Sequence, residues 1–414
     1  MRSLFASLAF VGISFAALVG GCSSSSDGVA PLSVEDAGTH EDSGIAVDAG
    51  TDASDAGTMA APAGRRIVDV GGPVLAHPTI VPLVYGDDAD WKRTETLLAA
   101  LPGSEYWKLF AEYGVGDVTL APSVQVAATA PATLSDATIE QTIAPFTTGG
   151  AGPLSDGTQI YTLIIPQQTT LLESDGSDFC GYGGAYHESS TSSTPSFVFA
   201  IVPHCSKSDF DSFAVALTHE LMEAATDPLP LVTPAWADTD PGHVGFRGEV
   251  GDLCDYGGML SGAGVPLFGT RVERLFSNAA AAKGSDPCVP ALGVPYFNAA
   301  PVPADDVSID DFILGKVTGR GVKLAVGETK TVSLVLSSDP GVPSWQVVVQ
   351  AIDGATQAQS TAVTTSLDHD MGADGDVLTM TITRTAHVSS GGDILFIYSA
   401  DGKEFWTDTI LVTD

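Results

Sequence analysis

Between residue 66 and about residue 290, continuous apolar runs alternate with amphipathic stretches. The runs Thr79-Ile-Val-Pro-Leu-Val-Tyr85, Gln159 to Pro166 and Ser196 to Pro203 are rich in β-branched residues, and the last two end at proline, so each predicts a strand. Asp90 to Leu101 and Tyr106 to Tyr113 read as helical, and Asp117 to Val126 as extended. Ser135 is placed to cap a helix running through Phe146. After the third strand, Ser208 to Thr226 has helical periodicity, with Ser208 as its cap and Asp211 three residues on as the acid of a capping box. Phe213, Leu217 and Leu221 recur at four-residue spacing and, with Phe210 and Ala214, predict a buried stripe. His219 and Glu223 fall on another face with Ser212, Ala216 and Thr226, and Pro228 and Pro230 end the helix. This order predicts an α/β or α+β domain over residues 65–292, with α+β, one mixed sheet plus helices, the expected class. From residue 296 to 414 the texture changes to short alternating stretches at Thr331 to Ser337, Trp345 to Ile352, Leu378 to Arg384, Ile394 to Ser399 and Phe405 to Val412. Asp401-Gly402 supplies a hairpin signal, and the whole predicts an immunoglobulin-like β-sandwich acting as a spacer or binding platform.

The first residues follow neither pattern. Arg2, the apolar run Leu4 to Val19 and Gly20-Gly21-Cys22 form a signal peptide over residues 1–21, resembling the bacterial lipobox, in which the cysteine carries lipid. Ser23, where an aspartate would retain the protein, implies passage to the outer membrane, facing the periplasm or the cell surface. The alternative is an ordinary secreted protein cut elsewhere. Residues 22–64 hold Asp-Ala-Gly-like steps and almost no large apolar side chain, so they predict a flexible acidic tether.

Composition then narrows the partners. Of the formal charge of -34, eight acids lie in residues 23–64; setting these and Arg2 aside leaves the folded part acidic in its own right. That argues against nucleic acid or an anionic surface as partner. Lipid on Cys22 is the expected membrane contact, a peptide or polysaccharide the expected substrate or ligand, and a monomer the expected state. Assigning Cys22 to lipid leaves Cys180, Cys205, Cys254 and Cys288, which in an exported chain read as two disulfides. Pairing Cys180 with Cys205 and Cys254 with Cys288 closes one local loop each. Zinc held by the four cysteines is disfavoured, because no Cys-x-x-Cys spacing occurs.

Candidate chemistry concentrates in Thr218-His-Glu-Leu-Met-Glu-Ala-Ala-Thr-Asp-Pro228. A histidine and a carboxylate one turn apart offer two ligands to one metal ion, and a neighbouring glutamate can take a proton from bound water. His219 and Glu223 are thus the expected ligands and Glu220 the expected base, with Glu249 completing the site from a segment anchored at Cys254. Asp252, Asp227, His187, His204 and His243 are alternative or supporting ligands. His187 follows a glycine-rich stretch beginning at Cys180. Zinc is the expected ion; the number of carboxylates also permits calcium. The acidic stretch Asp368 to Asp376 lacks EF-hand spacing and reads as an exposed turn. His40, His77, His369 and His387 read as solvated or structural.

The His-Glu-Leu-Met-Glu-Ala-Ala-Thr-Asp-Pro block, Ala235-Trp236, Glu249-Val-Gly-Asp-Leu-Cys254, the opening Gly72-Pro-Val-Leu-Ala-His77 with Tyr85-Gly-Asp87, and Arg274-Leu-Phe-Ser-Asn-Ala279 together resemble the EXORDIUM, or phosphate-induced, family and its bacterial relatives. The resemblance spans residues 66 to 290 and implies a zincin-like domain. The expected function is therefore a lipid-anchored, zinc-dependent hydrolase of the metallopeptidase type. The competing expectation is a non-catalytic cell-envelope binding or adhesion protein with a structural calcium or zinc site.

Overall fold

A computed structural model describes residues 66–147, 157–173, 176–181, 185–190, 196–205, 208–238, 248–255, 264–311, 315–354, 356, 358–388, 392–401 and 405–414. The signal peptide, Cys22, the acidic tether and His243 lie outside the described residues. The chain is mostly β, with several sheets and few helices, so the helical share is smaller than an α+β expectation implies. Among the described residues no helix is long and apolar enough to cross a membrane.

The sheet that carries the site is mixed. Its strands run in the order Thr119–Leu120, Thr79–Tyr85, Gln159–Ile165, Val198–Pro203 and Tyr186–Ser189, and Val124–Ala127 also pairs with Thr79–Tyr85. Neighbours are parallel except the edge strand Tyr186–Ser189, which is antiparallel to Val198–Pro203. Helical connections cover a parallel sheet on both faces, which is why its strands read as unbroken apolar runs. On one face Ile80, Val84, Ile160, Ile164, Ala200 and Val202 pack with Phe213, Leu217 and Leu221 of the helix Phe210–Thr226. On the other, Val81, Leu83, Leu163, Ile165 and Ile201 meet Ile139 and Ile143 of the helix Ile139–Thr147.

The site helix is capped by Asp209, whose side chain accepts from the Ser212 amide at 2.9 Å; the expected cap, Ser208, lies one residue too early. Asp211 accepts instead from the Thr270 hydroxyl at 2.6 Å, tying the hairpin of Val265–Leu267 and Thr270–Val272 to the first turn. The expectation of one packed and one chemical face also needs correction. Every residue from Leu217 to Thr226 is buried, because other chain segments close over the polar face. Val68–Asp69 pairs with Trp236–Ala237, and the amides of Gly72 and Leu75 donate to Pro234 and Ala225. Gly72 passes so close that a Cβ there would stand 2.0 Å from the Thr233 carbonyl oxygen. Beyond the helix, the Glu273 amide donates to the Thr218 hydroxyl at 2.8 Å and the Tyr106 hydroxyl donates to the Glu273 carbonyl at 2.9 Å.

The disulfides are Cys180–Cys205 and Cys254–Cys288. Cross-links of this kind place the chain outside the reducing cytoplasm.

Two sheets make up the C-terminal part. One orders Phe297–Val302, Thr329–Ser338, Val377–Arg384 and Val363–Leu367; the other orders Asp305–Asp311, Gly315–Lys323, Phe405–Thr413, Asp393–Ala400, Trp345–Asp353 and Met371–Gly372. Alternate residues of Val377–Arg384 are buried, the period expected of a strand with one face on a core. Phe297 of the first sheet meets Trp345 of the second at 5.5 Å between ring centroids. The acidic stretch Asp368 to Asp376 behaves as turn chemistry: Asp374 and Asp376 accept from the amides of Ser338 and Ala373, and Asp370 from the Gln346 side chain.

Candidate metal centre

Three segments bring the site together: the helix Phe210–Thr226 with its exit at Asp227, the edge strand Tyr186–Ser189, and residues 248–255. His187 belongs to the strand, three residues past Gly184, and its ring points across to the helix. Its Nδ1 lies 3.1 Å from Glu220 Oε2, and its Nε2 lies 3.1 Å from the carbonyl oxygen of Asp227. With Nε2 donating to that carbonyl, the ring is fixed and Nδ1 is turned toward the two glutamates. His219 Nε2 stands 3.0 Å from Glu223 Oε2, and His187 Nδ1 approaches the same oxygen at 3.9 Å. The other oxygen, Oε1, accepts the amides of Gly251 and Asp252 at 3.1 and 3.2 Å.

The third segment is held hard against the helix. Val250 and Leu253 are buried, the Phe276 amide donates to the Val250 carbonyl, and the Cys254–Cys288 disulfide fixes the end. Glu249 and Asp252, three residues apart, are thereby turned to the site. The Glu249 amide donates to Asp252 Oδ2 at 3.0 Å, leaving Asp252 Oδ1 to face His219 Nε2 at 3.6 Å. Glu249 Oε1 faces His187 Nε2 at 3.5 Å. The ligand atoms sort into two neighbouring groups, His187 with Glu223 and Glu249, and His219 with Glu223 and Asp252. The sequence expectation of His219, Glu223 and Glu249 as one set is therefore redrawn: Glu249 groups with His187, while Asp252 stands beside His219.

The electrostatics fit a cation. Glu220, Glu223 and Asp227 are nearly inaccessible, and Glu249 and Asp252 are largely covered. Among the described residues no Lys or Arg pairs with any of the five. Burial, reinforced by Glu223, raises Asp252 to about 7 and Glu249 well above the ordinary carboxylate range. Burial lifts Asp227 to about 6 against the opposing pull of His187. Burial would depress both imidazoles, but Glu220 lifts His187 and Glu223 lifts His219 well above its ordinary value. Glu223 is the exception, because the two histidines outweigh its burial and hold it low. Neither oxygen of Asp227 makes a hydrogen bond of ordinary geometry, nor does Glu249 Oε1. Buried acids left in this state are costly unless a proton or a metal ion compensates them.

His204 stands outside the cluster. Its Nδ1 lies 3.3 Å from Asp90, and its ring packs on Phe213 at 5.0 Å, which makes it a structural partner of the first helix. The contributions that sequence reasoning missed are backbone ones: the amides of Gly251 and Asp252 and the carbonyl of Asp227. Only the glycine in Glu249-Val-Gly-Asp252 hinted at them, and glycine alone does not say what approaches it.

No family model matches the chain, and no curated protein matches it. Among solved structures it is similar to the titin M10–obscurin-like 1 Ig complex, at 17% identity over 29% of this chain and 91% of that chain, with a TM-score of 0.16. It is also similar to the twitchin kinase fragment of C. elegans, at 13% identity over 29% of this chain and 20% of that one, TM-score 0.16. Likenesses at this level carry no argument about the site, and the two-sheet arrangement of the C-terminal part rests on its own strand pairing.

Proposed function

We propose that the chain is an exported, metal-dependent hydrolase of the zinc-peptidase type, tethered by lipid at Cys22, at the outer membrane, with Glu220 as the base. The observation that carries this reading is the position of Glu220, hydrogen-bonded to His187 beside two groups of ligand-type atoms. His219 and Glu223 would hold zinc from one helix face, with Asp252 or Glu249 from the 248–255 segment. Bound zinc supplies an activated water and polarises a substrate carbonyl. Glu220, whose Oε2 lies 3.1 Å from His187 Nδ1, takes the proton. His187 is aimed by the Asp227 carbonyl. The resemblance to the EXORDIUM family is part of the same reading.

A second reading is favoured by burial. With His187, His219, Glu220 and Glu223 all nearly inaccessible, the same residues suit a structural ion in a non-catalytic envelope protein that binds a polysaccharide or protein. Full-length protein assayed on peptide and polysaccharide libraries separates the two. Glu220→Gln is expected to retain its metal and lose turnover by about 10²-fold or more. Wild-type turnover in that variant would remove catalysis and leave the structural ion.

A further inference from the structure

We propose that this cluster holds two divalent cations side by side, with the Glu223 carboxylate shared between them; the inference rests on the metal-dependent reading and extends it. The first argument is the pairing of ligands. Each histidine has its own acid from the 248–255 segment, His187 with Glu249 and His219 with Asp252, and Glu223 belongs to both groups. Glu223 Oε1 is held by two amides, so Oε2 is the oxygen left to face His219 at 3.0 Å and His187 at 3.9 Å. Asp252 likewise has one oxygen engaged by the Glu249 amide and one free. Each cation would thus meet one imidazole nitrogen, one oxygen of its own acid and the shared oxygen, with His187 Nδ1 exchanging its contact to Glu220 for the cation while Nε2 keeps the Asp227 carbonyl.

The second argument is charge. Five carboxylates, Glu220, Glu223, Asp227, Glu249 and Asp252, gather round two imidazoles without a lysine or arginine among the described partners. With all five acids ionised by bound metal and both imidazoles neutral, one dication leaves a deficit of about three charges in a largely buried cluster, whereas two leave about one. Third, Asp227 is 1% exposed and lies beside His187 with no lysine or arginine partner among the described residues, so it adds a further buried acid on the His187 side of the cluster. Paired cations of this kind clamp both the attacking and the leaving oxygen of a hydrolysed bond.

The test is metal stoichiometry on the full chain after saturation with zinc and removal of loose ions. Wild type is expected to retain about two ions, and His187→Ala and His219→Ala about one each, as for separate sites with a common bridge. One ion in wild type, or loss of all metal from both variants, overturns the proposal. Manganese-loaded wild type is a second readout that needs no variant: a spin-coupled pair supports the shared carboxylate, and the signal of isolated ions refutes it. One bound ion with hydrolysis intact would sink the pair and leave the hydrolase reading standing; two bound ions without hydrolysis would do the reverse.

Discussion

Gly251→Ala tests how the 248–255 segment is pressed onto the helix. A Cβ at this position would stand 2.8 Å from His219 Nδ1 and 3.0 Å from both His219 Cε1 and Glu223 Oε1. The segment cannot swing away freely, because Val250 and Leu253 are in the core and Cys254 is cross-linked. Nor can Glu223 retreat without lengthening the hydrogen bonds it accepts from Gly251 and Asp252. Overpacking of a constrained site costs about 1–3 kcal/mol. Relief by lengthening two bonds to a carboxylate costs a similar amount, each such bond being worth roughly 1.5–3 kcal/mol. A loss of about 2 kcal/mol corresponds to a fall in Tm of roughly 4–8 °C for a domain of this size. Because Asp252 moves with the segment, zinc affinity is expected to fall about 10- to 100-fold, the range seen when groups supporting metal ligands are disturbed. Thermal melts with and without zinc, together with competition against a chromophoric chelator, read both effects. An alanine variant with wild-type Tm and wild-type affinity would show that the segment is not in contact with His219 as described.

Two more outcomes are expected. In chelated protein, the raised Asp227, Glu249 and Asp252 cost stability once pH climbs above the ordinary carboxylate range, and the raised His187 and His219 contribute stability that is lost as pH rises through their folded values. Glu223, held low, acts the other way only under more acid conditions, so metal-free protein should melt several degrees higher at about pH 5.5 than at about pH 8. Saturating zinc should shrink that difference, and a higher metal-free Tm at the alkaline end would contradict the assigned environment. Replacing Cys254 and Cys288 by serine opens a loop with a sequence separation of 34. Chain entropy puts the expected loss at about 3–4 kcal/mol, accompanied by weaker zinc binding; unchanged denaturant midpoints and affinity would refute the anchoring role.

The elements most readable in the sequence were those whose local signal agreed with their burial. Gln159–Ile165 is covered on both faces and reads as a solid apolar run, and Val377–Arg384 keeps a period of two because one of its faces is open. Asp305–Asp311 and Gly315–Lys323 carry little strand signal because acids and glycines are frequent in them, yet they pair with each other residue for residue. The disulfide pairing followed from loop length alone. At the site, the helical spacing of His219 and Glu223 could be read directly, since it is local geometry. The choice between Glu249 and Asp252 could not, because it depends on which way a non-helical segment turns its side chains, and that is set by Val250 and Leu253 sinking into a core assembled from distant parts of the chain. The mistaken cap at Ser208 has a similar origin: Asp211 is drawn off by Thr270, 59 residues away.

The cross-link at Cys254 also bears on when the centre becomes competent. Glu249 and Asp252 are carried on the segment that ends at this cysteine, so in a reducing compartment their alignment with His187 and His219 would lack its covalent tie. On the metal-dependent reading proposed above, the nascent chain would then be a poor scavenger of cytosolic metal ions and would load only after export and oxidation. Maturation order would be written into the position of a single cysteine two residues beyond a ligand.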